Sequence, residues 1–416
     1  MDRNILKSVI IDQKVLKWNL QHMEREIPES LIVSNMVVVI TGIRRCGKST
    51  LLQQIRHKLT DKDYYLNFDD ERLIQFRVDD FQVLLEIFIE LFGQQTTFYF
   101  DEIQNVKGWE RFVRRLADYG NKIYITGSNA KMLSRELGTH LTGRYIPFEM
   151  YPFSFKEFLS FKGQMISETD IYSTEKRAEI IRYFNHYSEE GGFPQYIQTR
   201  DNHYLKSLYE SILYRDIMVR NNLTNEREIL ELVYYLAGNV SNLSSYNSLA
   251  KTVGISNATT IKNYLEYFRN SYLMFPVSKF DFSLKKQIQN PKKIYFIDTA
   301  LVSQLSFRFS ENRGRQLENL VFLELKREGK EIFYHRKSSE CDFIIKEFNH
   351  ITQAIQVSLS INEKSTYARE IKGLSESMEH YGLKEGLIIT ENEEGSDQLT
   401  GGKITIKPAW KWLLGY

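Results

Sequence analysis

Met36-Val37-Val38-Val39-Ile40 is an unbroken apolar run, β-branched after Met36, which predicts a strand buried on both faces. Thr50-Leu51-Leu52-Gln53-Gln54-Ile55 then reads as the opening of a helix. Tyr64–Phe68, Thr96–Phe100 and Lys122–Asn129 predict further strands, the first closed by the acidic turn Asp69-Asp70-Glu71. Strands alternating with helical segments predict a parallel α/β sheet. Beyond about residue 200 the period changes. Leu205, Leu208, Ile212, Leu213 and Ile217 recur at a spacing of three to four and predict a helix within Tyr204–Arg220. Tyr246–Val253 and Asn257–Arg269 predict two helices around the turn Gly254-Ile255-Ser256, with a serine as N-cap. Leu317, Leu320, Val321 and Leu325 place Glu318 on an amphipathic helix, and Asp342–Ile345 and Ala354–Ser358 predict two strands after it. No stretch reaches the roughly 20 apolar residues that span a bilayer. Met36–Ile40 is too short, and Glu86 and Glu90 interrupt Phe81–Phe92, so no membrane partner is expected.

Composition narrows the class without naming a function. The 416 residues suit two or three domains, and 42% hydrophobic with 26% charged residues excludes wholesale disorder. A net charge of +2 leaves any nucleic-acid surface to local patches. No low-complexity tract or solenoid repeat is visible. Cys46 and Cys341 form no CxxC pair, which argues against a disulfide framework or a cysteine zinc site. With no signal-peptide pattern after Met1-Asp2-Arg3-Asn4, a cytoplasmic location is expected.

The chemistry is concentrated in the first third. Gly42-Ile43-Arg44-Arg45-Cys46-Gly47-Lys48-Ser49 matches GxxxxGK[ST] between the predicted strand and helix, the setting in which that spacing cradles phosphates. The glycines let backbone N–H groups turn inward, and the helix N-terminus adds positive charge. Lys48 is expected on the β- and γ-phosphates, the Ser49 hydroxyl on Mg²⁺, and Thr50 near the α-phosphate. Asp101 and Glu102 close the strand Thr96–Phe100, where ligands gather in open parallel sheets. Asp101 is assigned to the metal shell and Glu102 to polarising the attacking water. Ser128 and Asn129, ending the next strand, are both candidates for contacting the γ-phosphate, and spacing does not choose between them. ATP and Mg²⁺ are therefore the expected ligands.

These residues resemble the AAA+ superfamily, and more narrowly a prokaryotic family of ATPases whose AAA+ module precedes a C-terminal domain of unknown function. The resemblance rests on Gly42–Thr50, the box Asp101-Glu102-Ile103-Gln104 with Trp109 after it, and Thr126-Gly127-Ser128-Asn129. It continues through Leu141-Thr142-Gly143-Arg144, Tyr151-Pro152-Phe153-Ser154-Phe155 and Gly191-Gly192-Phe193-Pro194. It implies a helical lid after the sheet, a sensor role for Ser128 or Asn129, and an arginine finger at Arg144. If that finger acts in trans, the active form is a homo-oligomer. Arg215 and Arg220 are read either as facing the nucleotide or as a salt-bridged surface.

The carboxyl half is expected to engage something other than nucleotide. Ser245–Tyr272 resembles the winged-helix modules that bind DNA. Lys262 and Arg269 lie on the second helix, and Lys285, Lys286, Lys292 and Lys293 follow. Glu318, Asp342 and the second strand resemble the PD-(D/E)XK nuclease core. There, however, Gln356-Val357-Ser358 puts an amide and a hydroxyl where a carboxylate and a lysine would hold metal and activate water. A degenerate nuclease fold used for binding is expected, with an unrelated α/β domain as the alternative. The predicted organisation is an AAA+ type P-loop domain with helical lid over 1–230, a winged helix over 231–282 and a small α/β nuclease-like domain over 283–416. The expected activity is ATP hydrolysis coupled to duplex DNA or a protein partner. A slow nucleotide-gated switch and an ATP-dependent nuclease are the rivals.

Overall fold

The computed structural model describes residues 1–15, 25–59, 63–130, 141, 143–306, 312–399 and 401–416. They form two compact units, Met1–Tyr151 with Asn270–Tyr272, and Pro152–Arg269 with Leu273–Tyr416.

In the first unit β1 (Val37–Gly42), β2 (Tyr64–Asn67), β3 (Thr97–Asp101), β4 (Lys122–Gly127) and β5 (Tyr145–Met150) make an all-parallel sheet in the order β2-β3-β4-β1-β5. Every residue of β1 and β3 is buried, as continuous apolar runs covered on both faces must be. Val37, Val39, Phe98, Phe100, Ile123 and Ile125 alternate along their strands into one core, shared with α1 (Arg3–Val15), α3 (Asp80–Phe92) and α4 (Trp109–Asp118). Phe81 stacks on Phe112 there, ring centroids 4.3 Å apart. On the other face α2 (Lys48–Leu59) packs across β1, β3 and β4. Because β1 lies beside β4 and β4 beside β3, the loop leaving β1 opens next to the carboxyl ends of both.

The second unit begins with helices at Phe155–Phe161, Thr174–Glu190 and Asn202–Ser211, the last continuing as a π-helical stretch over Ile212–Val219. Ser154 and Glu157 start the first of these with a reciprocal capping box. Next come α5 (Glu226–Gly238), β6 (Leu243–Ser244), α6 (Tyr246–Thr252), α7 (Ala258–Asn270, whose last residue belongs to the first unit), β7 (Met274–Ser278) and β8 (Lys292–Phe296). The three strands form an antiparallel sheet in the order β6-β8-β7. The remainder is α8 (Asn312–Arg327), β9 (Glu331–Arg336), β10 (Glu340–Glu347), β11 (His350–Val357), α9 (Lys364–Tyr381), β12 (Glu385–Thr390), β13 (Gly395–Leu399) and β14 (Gly402–Pro408). Its six-stranded mixed sheet runs β13-β14-β12-β11-β10-β9, and α9 makes the crossover between the parallel strands β11 and β12. The expected class, a parallel α/β sheet followed by further domains with a C-terminal sheet, is what the chain adopts. No helix of the described residues is long and apolar enough to cross a membrane.

Candidate nucleotide-binding site

The loop after β1 is built around two backbone positions that favour glycine. Gly42 has φ 152° and Gly47 φ 102°. A Cβ on Gly42 would sit 2.1 Å from the Met150 carbonyl oxygen of neighbouring β5, so only glycine fits there. Ile43 and Cys46 point into the core, while Arg45 is exposed with a left-handed φ of 65°. Arg44, Ser49 and Thr50 are half-buried. Lys48 is 4% exposed; its Nζ donates to the Ile43 carbonyl at 3.1 Å and lies 3.5 Å from Glu102 Oε1. Burial alone would lower the Lys48 ammonium, but the Glu102 carboxylate and its other neighbours outweigh this and hold it above the ordinary lysine value.

The strands on the far side of the loop supply the acids. Asp101 is fully buried at the end of β3, where it accepts hydrogen bonds from the Thr126 and Ser49 hydroxyls. Burial, followed by the charge of Glu102, pushes it up to about 6. Glu102 turns out of the strand in a left-handed conformation, φ 53°, with its backbone N–H donating to Thr126 Oγ1 at 2.9 Å. Burial would raise the Glu102 carboxyl, but Lys48 and then Gln104 overcome it and hold it below the usual carboxylate value. Gln104 spans the gap between strands: its Nε2 donates to Glu102 and, at 3.4 Å, to Ser128 Oγ on the end of β4. Gln104 Oε1 is buried and has no hydrogen-bond partner among the described residues.

Lys48, Ser49, Asp101, Glu102 and Ser128 therefore converge, and Asn129 follows, 9% exposed. The bridging role of Gln104 and the Thr126 hydroxyl was not read from the sequence, although both lie in the segments that carried the family resemblance. The residues fit Mg²⁺ bound with a triphosphate. Ser49 and Asp101 offer hard oxygen ligands already hydrogen-bonded to each other, and the orphaned Gln104 acceptor suits an ordered water. No group of three His, Cys, Asp or Glu side chains able to hold a metal occurs among the described residues, so phosphate oxygens and water would complete the shell.

Arg144 is not part of this cluster. It precedes β5 at the amino end of the sheet, where its carbonyl accepts from Val37 N, and its half-exposed side chain pairs with Asp118. The loop lies at the other end of β1, about 17 Å away at strand rise, so Arg144 does not reach the phosphate site of its own chain. Thr142 lies outside the described residues. Arg220 pairs with buried Asp216 at 3.4 Å, in keeping with the salt-bridged reading of that helix.

The carboxyl half holds a second polar cluster with one correction to the sequence reading. Lys292 and Lys293 do not add to a basic surface. They are 5% and 2% exposed, because both lie on β8, inside its sheet. Lys293 Nζ sits 3.1 Å from Glu318, 2.8 Å from Glu340 and 2.7 Å from Asp342. The two acids that resemble a nuclease centre thus already hold a cation, the ammonium of a lysine. Gln356 accepts from Asp342 N at 3.2 Å and donates to Glu370, while the Ser358 hydroxyl turns away to the Ser360 carbonyl.

The fold and the loop define the first unit as an AAA+ ATPase-like domain of the P-loop class. Residues 34–159 match an AAA domain family (AAA_14), and residues 181–312 match a domain of unknown function, DUF8612. The uncharacterized protein MJ1544 of Methanocaldococcus jannaschii is 38% identical, over 100% of this chain and 97% of its own. An uncharacterized protein of Haemophilus influenzae is 31% identical, over 80% of this chain and 84% of its own. The chain belongs to the same family as these uncharacterized proteins. Among solved structures, the Thermotoga maritima RuvB Holliday junction branch migration motor aligns over 65% of this chain and 93% of its own, at TM-score 0.31 and 14% identity. The Aeropyrum pernix ORC1 protein, solved in complex with DNA, aligns over 73% and 90%, at TM-score 0.27 and 9% identity. Likenesses this loose carry no inference about function.

Proposed function

We propose that the protein binds and hydrolyses Mg·ATP at the β1 loop and uses the nucleotide state to engage duplex DNA through its carboxyl half. The observation that carries the first part is the convergence of Lys48, Ser49, Asp101, Glu102 and Ser128 at the carboxyl ends of three neighbouring parallel strands. Mg²⁺, held by Ser49 and Asp101, would neutralise phosphate charge. Lys48 exchanges its Glu102 and Ile43 contacts for the phosphates, and Glu102, so released, accepts the proton of the attacking water. Gln104 and Ser128 orient that water or the γ-phosphate. Arg144 acts in trans, on the site of a second copy. Mixing Arg144→Ala with Lys48→Ala protein should then restore turnover to at least a tenth of wild type, as each copy supplies what the other lacks. Two inactive proteins that stay inactive together would rule out the finger.

Support for the second part is topological. The order helix, strand, helix, helix, strand, short helix (Leu284–Gln289), strand, with the short β6 pairing β8, supports a winged helix built from α5 to β8. Thr259, Lys262, Asn263 and Arg269 line the exposed side of α7, and Lys285 and Lys286 are exposed on the short helix that connects β7 to β8. The helix, three-strand meander, crossover helix and parallel strand from α8 to β12 favour a nuclease-like fold retained for binding. A protein partner is the second reading, favoured by Phe282, Leu284 and Ile288, which are 86%, 68% and 48% exposed in the same connection. Steady-state phosphate release with Mg·ATP, with and without duplex DNA, tests the proposal. Release should rise several-fold with DNA and vanish in Lys48→Ala. Release indifferent to DNA would transfer the assignment to the protein partner, and release persisting in Lys48→Ala would remove the site.

A further inference from the structure

Three residues far along the chain return to the nucleotide-binding unit. Asn270, Ser271 and Tyr272 pack as part of the first unit, although Arg269 before them and Leu273 after them belong to the second. The segment is anchored at two strand ends. Asn270 contributes its carbonyl, which accepts from Ala130 N at 2.9 Å, immediately after Ser128 and Asn129 at the tip of β4. Tyr272 contributes its hydroxyl, which donates to Thr41 Oγ1 at 2.8 Å, immediately before the first loop glycine at the end of β1. These strands are neighbours in the sheet, with Thr41 opposite Gly127.

Both anchors are costly to build and are buried. Tyr272 is 1% exposed and holds a left-handed φ of 63°, a conformation that a bulky aromatic residue adopts only where its surroundings enforce it. Its hydroxyl also lies 3.5 Å from the Glu149 carboxylate on β5, and burial, ahead of Glu149, holds the phenol protonated and donating well beyond its ordinary range. Asn270 is 9% exposed, and its Nδ2 has no hydrogen-bond partner among the described residues, an unspent buried donor. No linker separates these anchors from α7, because Asn270 is the last residue of that helix.

We infer that Asn270–Tyr272 is a relay that couples the phosphate end of β1 and β4 to the last turn of α7, with Tyr272 as its positioning residue. The inference rests on the ATP reading above. Gain or loss of a γ-phosphate contact at Ser128 or Asn129 shifts Ala130, and the bond from Ala130 N to Asn270 carries the shift into the helix. Tyr272 holds the other end of the segment to β1, so the displacement moves α7 rather than being absorbed by the turn. The nucleotide state thereby reaches the helix proposed to face DNA through covalently continuous backbone.

Hydrogen exchange reads the relay directly. Glu102→Gln protein is compared with ATP or with ADP bound, following the amides of Gly42–Thr50 and of Ala258–Arg269. ATP should protect the loop amides, and exchange in α7 should differ at least fivefold between the two nucleotides. Adding Tyr272→Phe, which keeps the ring but removes the hydroxyl, should leave loop protection and the equilibrium affinity for ATP within about twofold while abolishing the difference in α7. Thr41→Val removes the same bond from the other side without touching the strained tyrosine, and should behave alike even if Tyr272→Phe folds poorly. Loop protection with no nucleotide-dependent change in α7, or a change that survives both substitutions, would overturn the relay and leave the ATP reading standing. Absence of loop protection would overturn both.

Discussion

Glu102→Gln is expected to lower Mg·ATP turnover by about 10²–10⁴-fold, the usual contribution of a positioned general base, while tightening ATP binding. The second half of this expectation comes from the pairing at the loop. Glu102 holds the Lys48 ammonium at 3.5 Å, and that ion pair must open before Lys48 can reach a phosphate. An amide removes the competing charge and still accepts a hydrogen bond from Gln104, so the site keeps its shape. Rapid-quench turnover and equilibrium binding of ATP check the two halves separately. Turnover within about threefold of wild type would remove Glu102 from the reaction. Weaker binding would show that the Lys48–Glu102 pair supports the ATP-ready loop instead of competing with it.

The opposite behaviour is expected in the carboxyl half, where a pair must not be opened. Lys293→Met should destabilise the second unit by about 3–5 kcal/mol, the cost of leaving buried carboxylates without their cation. Glu318 and Asp342 would face each other with nothing between them, since the ammonium is what separates their charges. Glu318→Gln should be mild, because three carboxylates share one lysine and removing one of them still leaves the ammonium paired. Burial, followed by the Asp342 charge, raises Glu318 to about 7 from an ordinary 4.5. The folded state therefore holds that proton more tightly than the unfolded chain. Its stabilising effect is complete below pH 4.5 and is lost as pH rises through 7. Glu318→Gln should flatten this part of the pH dependence and leave the unit as stable as wild type, or more so, at pH 8. Hydrogen exchange of β10 and β11 across pH 5–8 separates the two variants. An equally large loss in Glu318→Gln would mean that all three acids are needed.

These expectations differ in how far they could be read from sequence. The loop and its acids were legible because each lies where a continuous apolar strand meets polar residues, and the parallel sheet then brings such strand ends together. Lys293 was legible only as a charge close to other charges. Its partners come from α8, the start of β10 and the body of β10, and no local pattern announces that β8 runs beneath them. The same holds for Tyr272, whose hydrogen-bond partner Thr41 is 231 positions away. Arg144 shows a third case. Local sequence identified the arginine, but the register of β5 on β1 decides which end of the sheet it occupies, and that end is remote from its own loop. β12 to β14 left little trace because alternating segments such as Lys403-Ile404-Thr405-Ile406 are short and half polar.

The return of Asn270–Tyr272 also fixes when the AAA+ ATPase-like unit can be completed on the ribosome. The strands of the first sheet have all been made by Tyr151, but the residues that cap Thr41 and Ala130 emerge only after another 121 positions. At synthesis rates of about 5–20 residues per second this is a wait of roughly 6–24 s. Through that interval the nascent sheet presents an unfilled seam beside its phosphate loop, open to chaperones and to premature nucleotide alike. A fragment cut at Tyr151 would carry that seam permanently, so the AAA+ ATPase-like unit is better isolated as the whole chain than as its first third.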